Sequence, residues 1–345
     1  MKFHTCVTNA YFIIILSFNA LGQNALKTDS LKIFADDKPI NVTLLTDLRQ
    51  LINKKLDGKY QNAFFSCKLP DSSEVIEEIL IKTRGHFRLN NCNMPSLRLN
   101  FRSPSSPKLS FLKELKLVNT CDNRGDYEQI LIREYLVYKI YNLLTERSFR
   151  VRLLRINYMD IQERRKPFLQ YAILLENIDA MAARNGCKEL DVKNVHPEYA
   201  ERDGMTMLAV FQYMIGNTDW SVSANHNIRL ILPRKDSLNI PFAVPYDFDF
   251  GGLVNADYAT SPPNLPIATV RERLYRGWPR TLVELQDVFT VYNQKKDKIY
   301  QLINNCDLLQ TKHKKDMIEY LEIFYRTINN KRDVQKVFFE NLSRS

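Results

Sequence analysis

The chain has 345 residues, 45% apolar and 26% charged, with 49 Lys and Arg against 39 Asp and Glu, a net charge of +10 and an isoelectric point near 9.2. This is ordinary globular composition, with length for one large domain or two lobes, and beyond the N-terminus no stretch is long and apolar enough to be transmembrane. The basic balance favours anionic partners, such as a nucleotide, a phosphate, an acidic protein or an anionic membrane surface.

Residues 1–22 read as a signal peptide. Lys2 and His4 precede the apolar run Tyr11–Leu16, Ser17 interrupts it, and Ala20-Leu21-Gly22 sets small residues before Gln23. The mature chain is therefore expected to be exported: periplasmic, secreted or on the cell surface. It keeps Cys67, Cys92, Cys121, Cys187 and Cys306, enough for one or two disulfides and an odd thiol. The first three lie in one half of the chain, where a staple fits. No CxxC pair exists, which argues against zinc.

Residues 23–70 form a polar, weakly patterned N-terminal extension, in which Val42–Leu56 suggests a helix with Leu44, Leu45, Leu48, Leu51 and Ile52 on one face. A strand-rich part follows over 71–176. Val75–Ile81 leads into Arg84-Gly85-His86-Phe87-Arg88, Ser96–Phe101 alternates apolar and polar, and Leu115–Val118 is a third short strand. Tyr127–Thr145 carries the strongest helical pattern. Phe149–Met159 and Pro167–Glu176 read as a hairpin. Residues 177–345 are mainly helical, with Met205–Ile215 and then helices over roughly 281–304, 310–328 and 330–342.

Most of the polar chemistry lies in 216–252. Gly216–Asn227 and Pro245–Gly252 are loops flanking a hairpin of strands Ile228–Leu232 and Ile240–Val244. One Asp, one or two Asn and two further Asp gather at the mouth of a small sheet. Hard oxygen ligands beside a lone carboxylate base are what magnesium-dependent phosphoryl transfer needs. Asn-Thr-Asp219 is also good turn chemistry. Asp247 and Asp249, two apart on an extended stretch, point to one side, and burying both requires a cation or a shared proton. Neither GxGxxG nor a Walker GxxxxGK[ST] is present, which disfavours a P-loop ATPase. Arg271–Trp278 is a basic aromatic stretch suited either to an acidic or phosphorylated substrate or to a solvated helix. Lys295–Lys298 and Lys312–Lys315 read as exposed helix faces, Arg124-Gly125-Asp126 as a turn, and no nucleic-acid motif is found.

Taken in order, Arg84-Gly85, the strand end at Phe101, Leu115-Lys116-Leu117, Asp122 and Asp126, Arg133-Glu134, Leu174-Leu175-Glu176, Gly216-Asn217-Thr218-Asp219 and Tyr246-Asp247-Phe248-Asp249 resemble the spore-coat CotH kinases, in an exported bacterial-type branch, over roughly 70–330. The resemblance implies an α+β, bilobal protein-kinase-like fold, with a strand-rich N-lobe over 71–176 and a helical C-lobe over 177–345. It implies ATP between the lobes, Mg2+, and transfer of the γ-phosphoryl group to the hydroxyl of an acidic or hydroxyl-bearing protein substrate. On that pattern Asp219 is the base, and Asn227 (or Asn225), Asp247 and Asp249 surround the metal. Lys116 holds phosphates, Glu134 orients it, and Arg84-Gly85 with His86 and Arg88 covers the phosphates. His226 reads as a packed loop histidine, and Glu176 lies where a segment joining the lobes would meet adenine. Two departures stand out: the separation from Asp219 to Asn227 exceeds HRDxxxxN spacing, and Asp249 occupies the glycine position of DFG. A catalytically silent surface or envelope binding module, or an AMP transferase, would use the same residue types.

Overall fold

Alternation of buried and open side chains organises the first half of the chain. In β1 (Ile40–Thr46) Val42, Leu44 and Thr46 are buried, and in β2 (Gln61–Lys68) so are Ala63, Phe65 and Cys67. The same period runs through β3 (Glu74–Arg84) and most of β4 (Ser96–Asn100), whereas β5 (Glu114–Asn119), β6 (Val151–Asp160) and β7 (Phe168–Leu175) alternate at one end and are buried on both faces at the other. The computed structural model describes residues 33–34, 36–68, 74–101, 109, 112–122, 125–235 and 239–340. The signal segment, the Pro/Ser-rich loop 103–108 and Arg124 lie outside these.

The seven strands close into a barrel in the order β1-β2-β3-β4-β5-β7-β6. Neighbours are antiparallel except for the closing pair, β1 and β6, which run parallel with Val42 opposite Ile156. Its inward residues make a core of their own, in which Phe65 and Phe101 meet edge to face at 5.4 Å.

The chain therefore does not build the bilobal kinase-like fold that the resemblance implies. Its first half is a closed mixed barrel, joined to a small sheet and a helical body. Closure depends on strands drawn from 40–68. The helix expected over Val42–Leu56 splits accordingly. The period-two burial of Val42, Leu44 and Thr46 belongs to a strand, and only α1 (Leu48–Asn53) is helical, started by the Asp47 side chain accepting from Gln50 N at 2.8 Å.

Between β3 and β4, α2 (His86–Asn91) lies beside β5, and a disulfide from Cys92 to Cys121 fastens the two. Next, α3 (Gly125–Leu144) crosses between β5 and β6. It is buried on most faces, including its polar residues Gln129, Arg133 and Glu134. After α4 (Ile178–Arg184), β8 (Cys187–Leu190) interrupts the region expected to be mainly helical. It joins β9 (Ile228–Pro233) and β10 (Phe242–Pro245) in a sheet of order β10-β9-β8. Helix α5 (Arg202–Ile215) precedes this hairpin. Helices α6 (Leu282–Asn304), α7 (Thr311–Ile328) and α8 (Lys331–Gln335) follow it and share a second core with α3 and α5. Among the described residues no helix is long and apolar enough to cross a membrane.

Candidate functional site

Two glycines bring the polar loops together. Gly216 ends α5 with φ 66°, where a β-carbon would overlap the Tyr320 hydroxyl; Gly252 meets the same hydroxyl and the Val270 carbonyl. With both side chains absent, Gly252 N donates to Gly216 O at 3.2 Å and Leu253 N to Ile215 O at 2.8 Å. The segment after α5 and the segment after β10 thus run side by side.

Asn217 then turns the chain. It is buried, donates to Gln212 Oε1 at 3.0 Å and accepts from Asp219 N at 3.0 Å. The half-buried Asp219 carboxylate meets His226 Nε2 at 2.7 Å through Oδ1 and accepts from Asn227 Nδ2 at 3.0 Å through Oδ2. That bond to Asp219 holds the His226 imidazole above its ordinary range, against its partial burial. Asn227, at φ 54°, donates to Asp219 O and accepts from Tyr246 N at 3.0 Å, so one residue links the two loops. Asn225 turns away and donates to Val192 O at 2.9 Å. Of the two asparagines, Asn227 is the one at Asp219.

Asp247 and Asp249 separate. Asp247 adopts φ 66°, and its amide donates to the Tyr138 hydroxyl at 2.8 Å. Among the described residues its carboxylate makes no hydrogen bond or ion pair. Phe248 is fully buried against Tyr138 and Phe211. Asp249 is buried on the other side and accepts from Arg88 Nη2 at 3.0 Å and Tyr258 Oη at 3.1 Å. Both bonds are made through Oδ2. Burial, with the Asp247 charge adding to it, pushes Asp249 up to about 6, although Arg88 pulls the other way.

The cation that serves Glu134 is Arg88. Its Nη2 lies 3.4 Å from Glu134 Oε2, and its Nη1 donates to Asn119 O at 2.7 Å. Glu134 is completely buried and its Oε1 has no hydrogen-bond partner. Burial, then the nearby Asp249, raise it well above the usual carboxylate range. The Lys116–Glu134 pair that the resemblance implies is not formed.

Lys116 instead sits on β5 with its ammonium 4.1 Å from the centre of the Tyr246 ring, while the Arg229 guanidinium lies 5.4 Å from the same ring. Arg84, at the end of β3, is close enough to press on the same ammonium. Burial, then Arg84 and Arg229, push Lys116 down to about 7, with Asp247 opposing them. Among the described residues none of Arg84, Lys116 and Arg229 forms an ion pair. Gly85 has φ 87° and begins α2, the short helix that carries Arg88 inward.

The remaining expectations resolve structurally. Glu176 is spent on Arg150 N at 3.0 Å and on Arg184 Nε at 3.0 Å, latching β7 to α4. Arg271–Trp278 is not helical. Arg271 pairs with Asp316 at 2.9 Å, and Arg273 donates to Tyr320 O at 2.6 Å. Sequence reasoning did not single out Arg229, Tyr138 or Tyr258, and it placed Arg88 only within a phosphate-covering turn. For Arg88 one local signal exists, an arginine set between Phe87 and Leu89 on a short helix.

A magnesium nucleotide fits this donor set. Among the described residues no group of three or more His, Cys, Asp or Glu could cage an ion. Mg2+ commonly takes one or two carboxylates and completes its shell with water and substrate phosphates. Asp247 and the Oδ1 of Asn227, for which the described residues show no hydrogen-bond partner, would be the protein's oxygens for such an ion, and Arg84, Lys116 and Arg229 would supply counter-charge for phosphate. No family model matches the chain, and no curated protein matches it.

Proposed function

We propose that the chain is an exported, magnesium-dependent phosphotransferase that uses ATP to phosphorylate a protein hydroxyl. One observation carries the reading: Arg84, Lys116 and Arg229, which form no ion pair among the described residues, gather around Tyr246 near Asp247, whose carboxylate forms none there either. Glu189 and Asp247 offset part of this charge from nearby, but with more cations than carboxylates the cluster attracts a polyanion. The order of motifs shared with the spore-coat CotH kinases supports the same chemistry.

In this reading Lys116, Arg84 and Arg229 hold the phosphates, and Asp247 with Asn227 holds Mg2+. The ion, when bound, neutralises charge on the transferring phosphoryl group. Asp219 accepts the hydroxyl proton as the new O–P bond forms, while the bond from the γ-phosphorus to its bridging oxygen breaks and ADP leaves with the electron pair. His226 and Asn227 fix the carboxylate, each occupying one lone pair and leaving others free for the proton.

The test uses the mature chain with Mg2+ and γ-labelled ATP. The expected result is label on the chain itself or on a co-exported protein, lost in Asp247→Ala. Wild type and variant behaving alike, with no nucleotide bound by either, sinks the reading. Label from the α- rather than the γ-position would make it an AMP transferase. A silent binding module has its own support, since Glu134 pairs with Arg88 and leaves Lys116 untethered. It predicts no transferred label and no response to MgATP, whereas nucleotide bound by a phosphotransferase raises the melting temperature by mass action.

A further inference from the structure

A cavity of about 700 Å3 that the nucleotide reading does not use shares Arg276 with the loop that bears Asp219. Its walls include Leu265, Pro266, Ile267, Arg276 and Trp278, from the loop-rich segment between β10 and α6. Arg276 connects it to the site. Its Nη1 donates to Thr218 O at 2.6 Å and to Trp220 O at 2.9 Å, the carbonyls on either side of Asp219. Trp278 packs edge-on against Trp220 at 6.1 Å. The cavity wall is thus bonded to both neighbours of the base.

The charge of Arg276 is the second clue. Among the described residues its guanidinium contacts carbonyls and the Trp220 ring but no carboxylate. Partial burial holds its pKa below the usual arginine value, with only the nearby Asp219 opposing this. Among the described residues its Nε and Nη2 make no hydrogen bond, so the fork is available for a bidentate carboxylate. The carboxylate of the cavity wall, Glu272, accepts through Oε1 from the amides of Ala268 and Thr269 at 3.1 and 3.2 Å.

We propose that this cavity is the acceptor site, and that it takes an extended protein segment with an acidic residue close to its hydroxyl-bearing one. Apolar side chains of the segment lie against Leu265, Ile267 and Trp278, its carboxylate pairs with Arg276, and its hydroxyl is delivered to Asp219. The transfer balances as above: the acceptor oxygen gains the phosphoryl group, its proton passes to Asp219, and ADP departs. This rests on the phosphotransferase reading.

The probes are peptide libraries of fixed Ser, Thr or Tyr with either Asp/Glu or Lys/Arg at the flanking positions, incubated with wild type or Ile267→Arg and γ-labelled ATP. Ile267→Arg fills the wall without touching Asp219 or the cations around Tyr246. Wild type is expected to label the acidic library at least tenfold more than the basic one. Ile267→Arg is expected to lose that labelling while MgATP still raises its melting temperature as in wild type. Equal labelling of both libraries, undiminished labelling by Ile267→Arg, or no peptide label from a chain that binds MgATP each overturns the acceptor site. Failure of wild type to bind MgATP overturns the phosphotransferase reading instead, and the two failures are told apart by the melting shift.

Discussion

Replacing Arg88 with Met should be among the most damaging substitutions in the chain. Arg88 is 7% exposed and is the only cation within ion-pair distance of two buried carboxylates, Glu134 and Asp249, among the described residues. Methionine removes the charge but keeps most of the volume, so the cost is electrostatic and not a cavity. Leaving a buried charge without its partner costs about 3–5 kcal/mol. For a chain of this size each kcal/mol lowers the melting temperature by roughly 2 °C, giving a fall of about 6–10 °C. The pH dependence fixes the cause. Asp249 is already raised to about 6 in the folded protein, from about 3.9 in an unfolded chain. A carboxylate raised on folding favours the native state below its unfolded pKa, and that contribution is lost as pH climbs through the folded one. Without Arg88 both carboxylates rise further. The deficit of Arg88→Met should therefore be larger at pH 8 than at pH 5, where the native carboxylates take up protons. Thermal melts of wild type and variant in EDTA at the two pH values test this. A fall below 2 °C, or an equal fall at both pH values, would refute the reasoning.

Lys116, depressed to about 7, is mostly neutral in the free protein at pH 8 but should recharge against bound phosphate. MgATP binding should then take up close to one proton at pH 8, measured by calorimetry in buffers of different ionisation enthalpy. Lys116→Met should abolish the uptake, and uptake unchanged in that variant would dismiss the lysine as a phosphate ligand. Gly216→Ala forces a β-carbon onto Tyr320 at φ 66°. The backbone conformation and the overlap together should cost about 2–4 kcal/mol, and a melting temperature within 1 °C of wild type would count against it. Removing the Cys92–Cys121 bridge, which spans 29 residues, should cost about 3–4 kcal/mol by chain entropy. Denaturant unfolding of Cys92→Ala/Cys121→Ala measures this, and a midpoint equal to wild type would show that the bridge adds nothing.

What the sequence displays and what it hides divide along range. Ser96–Phe101, Leu115–Val118 and the hairpin around 228–245 follow from local alternation, and all three occur. Of the Asp and Asn residues expected to gather at the mouth of that hairpin, Asp219 and Asn227 meet at 3.0 Å. Closure of the barrel was not legible. It requires Val42 to find Ile156 across more than a hundred residues, and a parallel pair leaves no turn signature. The same blindness affected Glu134. Lys116 stood on a strand in the expected order and seemed its natural partner, but the cation that reaches it comes from a six-residue helix held in place by a disulfide. Asp249 looked equivalent to Asp247 because both are aspartates on one short stretch. The left-handed turn at Asp247 breaks the extended geometry on which that equivalence depended.

The hydrogen bonds from Gly252 to Gly216 and from Leu253 to Ile215 bear on how the molecule would move. They fuse the base loop and the carboxylate loop into one rigid body, seated on α5 and on Tyr320. These bonds, with that from Tyr246 N to Asn227 O, tie the two loops together without any ligand. On the phosphotransferase reading, any closure around a nucleotide would then be carried by the barrel, which bears Lys116 on β5 and Arg84 on β3. Hydrogen exchange should accordingly slow along β3–β5 when nucleotide binds, while the amides of Gly252 and Leu253, already protected, stay unchanged.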